Sequence, residues 1–355
     1  MRFGLGVPTA TEGMMYPVPF ARIDEAVELA LLAEDLGFDS VWGNDHVSTQ
    51  SYVREEFAEP PRFYDLLGYL TYVAAKTTRI RLVTAVMVMP FRHPVAVAKQ
   101  AATLDLLSGG RFVLGVGIGA YREEFEAMWP DRRLHRGEYA QEFLESLALL
   151  LTERRANYEG RWITFNDVES FPKPSTPLAV LSGGNAHGSR QRAATLASGW
   201  LPACLTVAEI AEGLADIRQA AEARRRRLPP QFEVAPQFAV SMAPTHEEAL
   251  RRFEASQVHT HLRSLAASTL KERTGGLVER NLIGTPDEIA ERVTAYADAG
   301  ANTLSALLFA TNTVQETIEA MQAFSEQIIA EFAADDTAGS APNVARQATP
   351  PAGAG

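Results

Sequence analysis

Residues 79–125 read RIRLVTAVMVMPFRHPVAVAKQAATLDLLSGGRFVLGVGIGAYREEF. The order is strand, turn, helix, turn, strand and a glycine-punctuated loop, which is one parallel crossover ending in a segment fit to hold a ligand. Ile80 to Val88 is apolar and β-branched on both faces, as a strand covered on both sides must be. Pro90 and Pro94 end that strand and open a helix. Val97, Ala101 and Leu104, with Ala98 and Ala102 beside them, form its inward stripe, and Ser108, Gly109 and Gly110 stop it. Phe112 to Val116 is the next buried strand. Gly115, Gly117 and Gly119 then alternate, which either relieves crowding at a corner of the sheet or lets a flat ring or an anion approach bare main chain. No phosphate-loop Lys-Ser/Thr follows them, so the glycines alone make no nucleotide fingerprint.

The alternation continues in both directions. Strand patterns fall at Phe3 to Val7, Asp39 to Gly43, Ile80 to Val88, Phe112 to Gly117, Leu178 to Ser182, Gly199 to Ala203, Phe232 to Ser241 and Thr303 to Phe309. Helical patterns lie between them at Arg22 to Leu36, Asp65 to Lys76, His93 to Leu107, Gly137 to Thr152, His187 to Ala197, Val207 to Arg227 and Asp287 to Ala299, with a last helix at Val314 to Phe332. Eight such units predict a (β/α)8 TIM barrel over residues 1–332, with a doubly wound α/β sheet as the competing arrangement. In a barrel the loops after the strands carry the chemistry and the opposite loops carry stability. Three of these loops are long: His46 to Tyr64, Tyr121 to Arg136 with its basic cluster of Arg132, Arg133, His135 and Arg136, and Ala243 to Ile283, which reads as helices plus a lid. Residues 333–355 are almost free of large apolar side chains and read as a disordered tail. Arg224 to Arg227 reads as a solvated helix end.

The 355 residues carry a formal net charge of −11, which argues against a general affinity for nucleic acid or anionic membranes and favours small-molecule chemistry. Cys204 is the single cysteine, so intramolecular disulfides and a cysteine-rich metal centre are excluded. Met1 to Val7 runs into a strand without the features of a signal peptide, and no apolar run reaches membrane-spanning length, so the chain reads as soluble and cytoplasmic.

Two strand ends gather candidate chemistry. After the second strand stand Trp42-Gly43-Asn44-Asp45-His46, where the carboxylate could orient the imidazole or the pair could supply a proton, with a capping Asp beside a satisfied His as the structural alternative. After the fifth, Ser182-Gly183-Gly184-Asn185 leads through His187 into a helix carrying Arg190. Exposed backbone NH groups and a guanidinium there suit a phosphate, while a turn plus a helix cap would use the same glycines. Gly284-Thr285-Pro286-Asp287-Glu288 is a capping box and takes no catalytic role. His259 and His261, two apart with no matching ligand nearby, read as solvated lid histidines, and no metal site is expected. No GxSxG nucleophile elbow is present.

Taken together these blocks resemble the bacterial luciferase-like family of flavin- and F420-dependent oxidoreductases. The resemblance runs through AEDLGFDSVWGNDH (33–46), residues 77–128, Tyr158-Glu159-Gly160, FPKP to GG (171–184), Gly199-Trp200 and GTPDEI (284–289). It implies a TIM barrel holding the cofactor ring at the carboxyl mouth, against Thr84, Ala85 and Val86, where F420-using members often have a non-prolyl cis peptide. It further implies that Asp45 and His46 face the reactive side as catalytic residues, that Gly117, Gly119 and Tyr121 border the ring, and that Ser182, Gly183, Gly184, Asn185 and Arg190 hold the phosphate. Sugar-phosphate-oxidising members place a glutamate after the GxG loop where this chain has Ala120, which departs from their pattern. The implied activity is F420-dependent hydride transfer to or from a small organic substrate. The alternatives are an FMN-dependent monooxygenase fed by a separate reductase, and a non-catalytic flavin-binding protein. Members of the family often form homodimers, and the 52–64 loop hints at a planar or acidic substrate.

Overall fold

Strands that lie side by side in one direction need a crossover between each pair, and the helices found here supply it. The structure, a computed structural model, describes residues 1–130, 133–268 and 276–333. Strands Arg2–Gly6, Ser40–Gly43, Arg81–Thr84, Phe112–Gly117, Ala179–Gly183 and Gly199–Leu201 pair in that order, every ladder parallel. Glu233–Val234 pairs with Gly199–Leu201, Gln237–Met242 pairs with Thr303–Phe309, and Thr303–Phe309 returns to Arg2–Gly6. The result is an α/β fold on a curled parallel sheet.

Pro236 explains why one predicted strand, Phe232 to Ser241, is two. It has no NH to give, and the backbone changes partners around it. Ala235 N donates to Trp200 O at 2.9 Å on one side, and Pro236 O accepts from Ser305 N at 2.9 Å on the other. The predicted strand Ile80 to Val88 is also divided. Between the pairs Val83↔Val113 and Met87↔Val116 it carries one residue more than its neighbour, and the Ala85–Val86 peptide within that bulge is cis. The cis bond sits where the family resemblance implied one.

The crossover helices are Ile23–Asp35, Leu66–Lys76, Pro94–Leu107, Arg136–Thr152, His187–Leu196, Val207–Ala223 and Pro286–Asp298, followed by Val314–Phe324 and a π-helical turn Ser325–Ile329. Each matches a predicted helix. Asp65, Thr206, Thr285 and Thr313 cap their helices by accepting from an NH in the first turn. Among the described residues several elements lack a sequence counterpart, including the short helices Ser51–Glu56 and Arg122–Met128 in two of the long loops. The antiparallel hairpin of Ala156–Glu159 and Thr164–Val168 is mostly exposed, and Leu282–Gly284 adds to Gln237–Met242.

One apolar layer lies between sheet and helices, while Trp42, Val83, Val113, Leu181, Leu201, Ala235 and Ala306 fill the inside of the curl. The strand-start end is clamped by charge. Arg111 donates to Ala74 O, Thr77 O, Ile80 O and Ser108 O, and Glu34 accepts from the NH groups of Thr78, Arg79 and Ile80. Arg226, read from sequence as solvated, instead caps the end of the preceding helix by donating to Ala193, Ala194 and Ala197 carbonyls. Among the described residues no helix is long and apolar enough to cross a membrane. The expected tail, beyond residue 333, lies outside the described residues.

Candidate active site

A cavity of about 680 Å³ opens at the strand carboxyl ends, a size usual for small-molecule sites. It brings together Asp45, His46, Ala85, Val86, Gly117, Gly119, Tyr121, Gly183, Gly184 and Asn185, ten of the thirteen residues picked out from the sequence. Thr84, Ser182 and Arg190 do not line it. The Thr84 hydroxyl donates to Gly115 O at 2.6 Å within the sheet, and the Ser182 hydroxyl donates to Ser189 O at 2.9 Å. Arg190 turns to Asn185 O at 2.8 Å and to the Asp216 carboxylate at 2.9 Å.

His46 is oriented by Glu124, and not by its neighbour Asp45. The buried Glu124 carboxylate lies 3.0 Å from His46 Nδ1 and accepts from Val47 N at 2.9 Å, with the Gln50 side-chain amide 3.1 Å from the same Nδ1. An ionised carboxylate can only accept, so it fixes the proton on Nδ1 and leaves Nε2 as the free nitrogen. Among the described residues His46 Nε2 has no partner, and the residue borders the cavity. Asp45 is committed elsewhere. It forms an ion pair with Arg92 and accepts from Val88 N at 2.9 Å, tying down the strand segment Met87–Val88. Glu123, next to Glu124, accepts from Ser51 N at 2.8 Å and from the Ser51 hydroxyl. The helix Arg122–Met128 therefore fastens the loop that carries His46 at two adjacent points.

The glycines answer to Val86. A Cβ at Gly117 would overlap Val86 Cγ2, and one at Gly183 would overlap Val86 Cγ1. Their bareness leaves room for the Val86 side chain, which borders the mouth, so the reading that the glycines relieve crowding is met at Gly117. Gly119 has φ +71°, a left-handed conformation, and a Cβ there would press on Val88 and Phe125.

The Gly183-Gly184-Asn185 turn is held from the next strand. Trp200 Nε1 donates to Gly184 O at 2.9 Å, and the Asn185 side chain both donates to Ala203 O and accepts from Ala203 N. This presents the start of helix His187–Leu196 to the cavity beside Ser189 and Arg192. Arg192 is 7% exposed, and among the described residues its guanidinium makes no hydrogen bond or ion pair. Burial pushes it below the usual arginine range. A buried cation without a protein counter-charge, at a helix N-terminus, fits a phosphate group.

The third long loop supplies a wall with helices His246–Glu254 and Gln257–Ser268, while residues 269–275 of the expected lid lie outside the described residues. His261 is not solvated, because it is buried against the cavity with Nδ1 3.2 Å from the Tyr52 hydroxyl. Burial, helped by nearby His46, lowers its pKa to about 4. Tyr52 is also 3.3 Å from the Tyr121 hydroxyl, and burial raises both phenols. In the basic cluster, Arg136 donates to Gly119 O at 2.7 Å and stacks on Phe125, while Arg132 lies outside the described residues. Among the described residues no three His, Cys, Asp or Glu side chains are grouped to hold a metal ion.

The fold recurs in known proteins. The model of the luciferase-like monooxygenase family matches residues 1–303. The F420-dependent glucose-6-phosphate dehydrogenase of Microbacterium testaceum is 28% identical over 295 residues, covering 78% of this chain and 85% of that protein. Among solved structures, the monooxygenase RslO1 from Streptomyces bottropensis superposes with a TM-score of 0.76 at 23% identity, covering 94% of this chain and 100% of the other. An F420-dependent secondary alcohol dehydrogenase, solved with an F420–acetone adduct, superposes with a TM-score of 0.73 at 17% identity, covering 93% and 98%. The chain belongs to the luciferase-like monooxygenase family.

Proposed function

We propose that this chain is an F420-dependent oxidoreductase acting on a small organic substrate, built as a closed (β/α)8 barrel. The observation that carries the cofactor reading is the buried, unpaired Arg192 beside the Gly183-Gly184 turn, supported by relatives named F420-dependent glucose-6-phosphate dehydrogenase. The barrel reading rests on the backbone around Pro236, which bonds to Trp200 on one side and Ser305 on the other.

The chemistry that a deazaflavin supplies when bound is hydride transfer. Arg192 and the NH groups at the start of helix His187–Leu196 would hold the phosphate. Val86 and the Ala85 backbone would border the ring. His46 Nε2 exchanges a proton with the substrate oxygen while Glu124 keeps the ring nitrogens in their roles. Asp45 acts through Arg92 and Val88 as a positioning residue. A homodimer belongs to the same reading, because Tyr72, Leu106 and Leu107 stand exposed on helices Leu66–Lys76 and Pro94–Leu107; sedimentation velocity tests it.

Titrating the purified full chain with F420 and with FMN tests the cofactor. Tighter binding of F420 is the expected outcome. Tighter binding of FMN, with oxygen uptake when reduced FMN is supplied by a separate reductase, would replace this reading with that of a two-component monooxygenase.

A further inference from the structure

A second cavity lies beside the mouth, between helix Arg122–Met128 and the chain that follows it. Its volume is also about 680 Å³, within the range of small-molecule sites, and Phe125, Trp129, Pro130 and Leu134 give it an apolar wall. Among the described residues that line it, three arginines, Arg122, Arg133 and Arg136, stand against one glutamate, Glu126. That glutamate is committed to Arg122, whose Nε lies 2.6 Å from its carboxylate. In a chain with a formal net charge of −11, the cavity is a local excess of positive charge.

The other two cations have no carboxylate partner among the described residues. Arg133 is exposed. Arg136 is partly buried and lies over the Phe125 ring, with its guanidinium carbon 4.8 Å from the ring centroid. Its one hydrogen bond among the described residues runs from Nη1 to Gly119 O at 2.7 Å. A guanidinium carries five NH donors, so most of the Arg136 fork is left for a ligand. Burial pushes this group below the usual arginine range, as it does for a cation that loses water without gaining a counter-charge. A planar fork next to apolar surface matches a carboxylate on a flat hydrocarbon body: paired NH···O bonds take the carboxylate, and the wall takes the ring.

We propose that this second cavity is a binding site for an aromatic carboxylate, separate from the mouth. The carboxylate pairs with Arg136 and Arg133, and the ring packs against Phe125 and Leu134. Arg136 is the one described residue that lines both cavities, and through Gly119 O it is tied to the strand-end loop that leads into Tyr121. The occupant is therefore a second ligand held beside the mouth, and not the molecule that reacts there. None of the described residues lining this cavity belongs to the Gly183-Gly184-Asn185 turn, so the assignment stands whichever cofactor the mouth holds.

Calorimetric titration of the full chain with 2-naphthoate, and with 2-naphthalenemethanol as its uncharged counterpart, tests the assignment. The carboxylate is expected to bind roughly tenfold tighter than the alcohol, the worth of one charge-assisted hydrogen bond. Arg136→Gln is expected to weaken the carboxylate by about the same factor, and Arg133→Gln, at an exposed position, about threefold. Arg192→Met removes the buried cation of the mouth and is expected to leave the 2-naphthoate affinity unchanged. Equal affinity for the two probes, binding of neither, or a carboxylate affinity untouched in Arg133→Gln would overturn the proposal even if Arg136→Gln does not fold. A carboxylate affinity lost in Arg192→Met and kept in Arg133→Gln would place the anion in the mouth and overturn it as well. The cofactor reading and this site fail separately, because every one of these titrations is made on the chain without cofactor.

Discussion

Replacing Arg192 by Met should make the free protein more stable and its complex with F420 weaker. Arg192 is buried and has no counter-charge among the described residues, so in the free protein its guanidinium loses water without recovering an equivalent partner. Met fills similar space with an adaptable apolar chain. The free protein should gain about 1 to 2 kcal/mol, seen as a rise of a few degrees in Tm by differential scanning calorimetry. Charge-assisted bonds to a phosphate contribute roughly 1.5 to 3 kcal/mol, so the F420 dissociation constant should rise about 10- to 150-fold in a fluorescence titration. Arg190→Met is the matched control. Its guanidinium is paired with Asp216 and turned from the cavity, so F420 affinity should change less than about threefold. A variant at Arg192 that is less stable when free and binds F420 as before would refute the phosphate assignment, since that pattern belongs to an arginine that supports packing.

Three further outcomes follow from contacts already described. Glu124→Ala removes the acceptor of Val47 N and the partner of His46 Nδ1, so urea unfolding should show a loss of about 2 to 3 kcal/mol and the Val47 amide should exchange hydrogen faster. His261, packed near Tyr52 and His46, has a folded pKa of about 4, below the 6.5 of an unfolded histidine. Its neutral form is therefore compatible with full stability above pH 6.5, and stability falls as the unfolded chain takes up the proton between pH 6.5 and 4. The loss should be about 2 kcal/mol at pH 5, and His261→Phe should abolish that part of the difference between unfolding curves at pH 7 and pH 5. Gly117→Ala sets a methyl against Val86 and should cost about 1 to 3 kcal/mol in thermal or urea unfolding, with cofactor binding weakened as Val86 is displaced.

The strands and helices could be read from sequence because each central strand is covered on both faces and each crossover helix has one apolar stripe, so local pattern and final burial coincide. The hairpin Ala156–Glu159 with Thr164–Val168 escaped because its residues are mostly exposed and carry no strong alternation. The location of the mouth cavity was equally legible, since glycines and polar residues gather where strands end. The side-chain pairing within it was not. His46 and Glu124 are 78 positions apart, and nothing local distinguishes Glu124 from Asp45, which is adjacent in sequence but turned to Arg92. Arg190 and Arg192 occupy one helix two positions apart, and residues so spaced face different ways. Only the placement of Asp216 shows which of them is left for the cavity.

Glu123 and Glu124 have an effect beyond the two side chains they hold. The segment that carries His46 and the segment that carries Tyr121 are ordered by the same short helix, Arg122–Met128, so neither can loosen without releasing the other. The conformational entropy of the two loops is then lost as one event and not as two independent ones. A ligand touching only Tyr121 would raise the fraction of molecules in which His46 is correctly aimed. Binding on one side of the mouth would then prime the other.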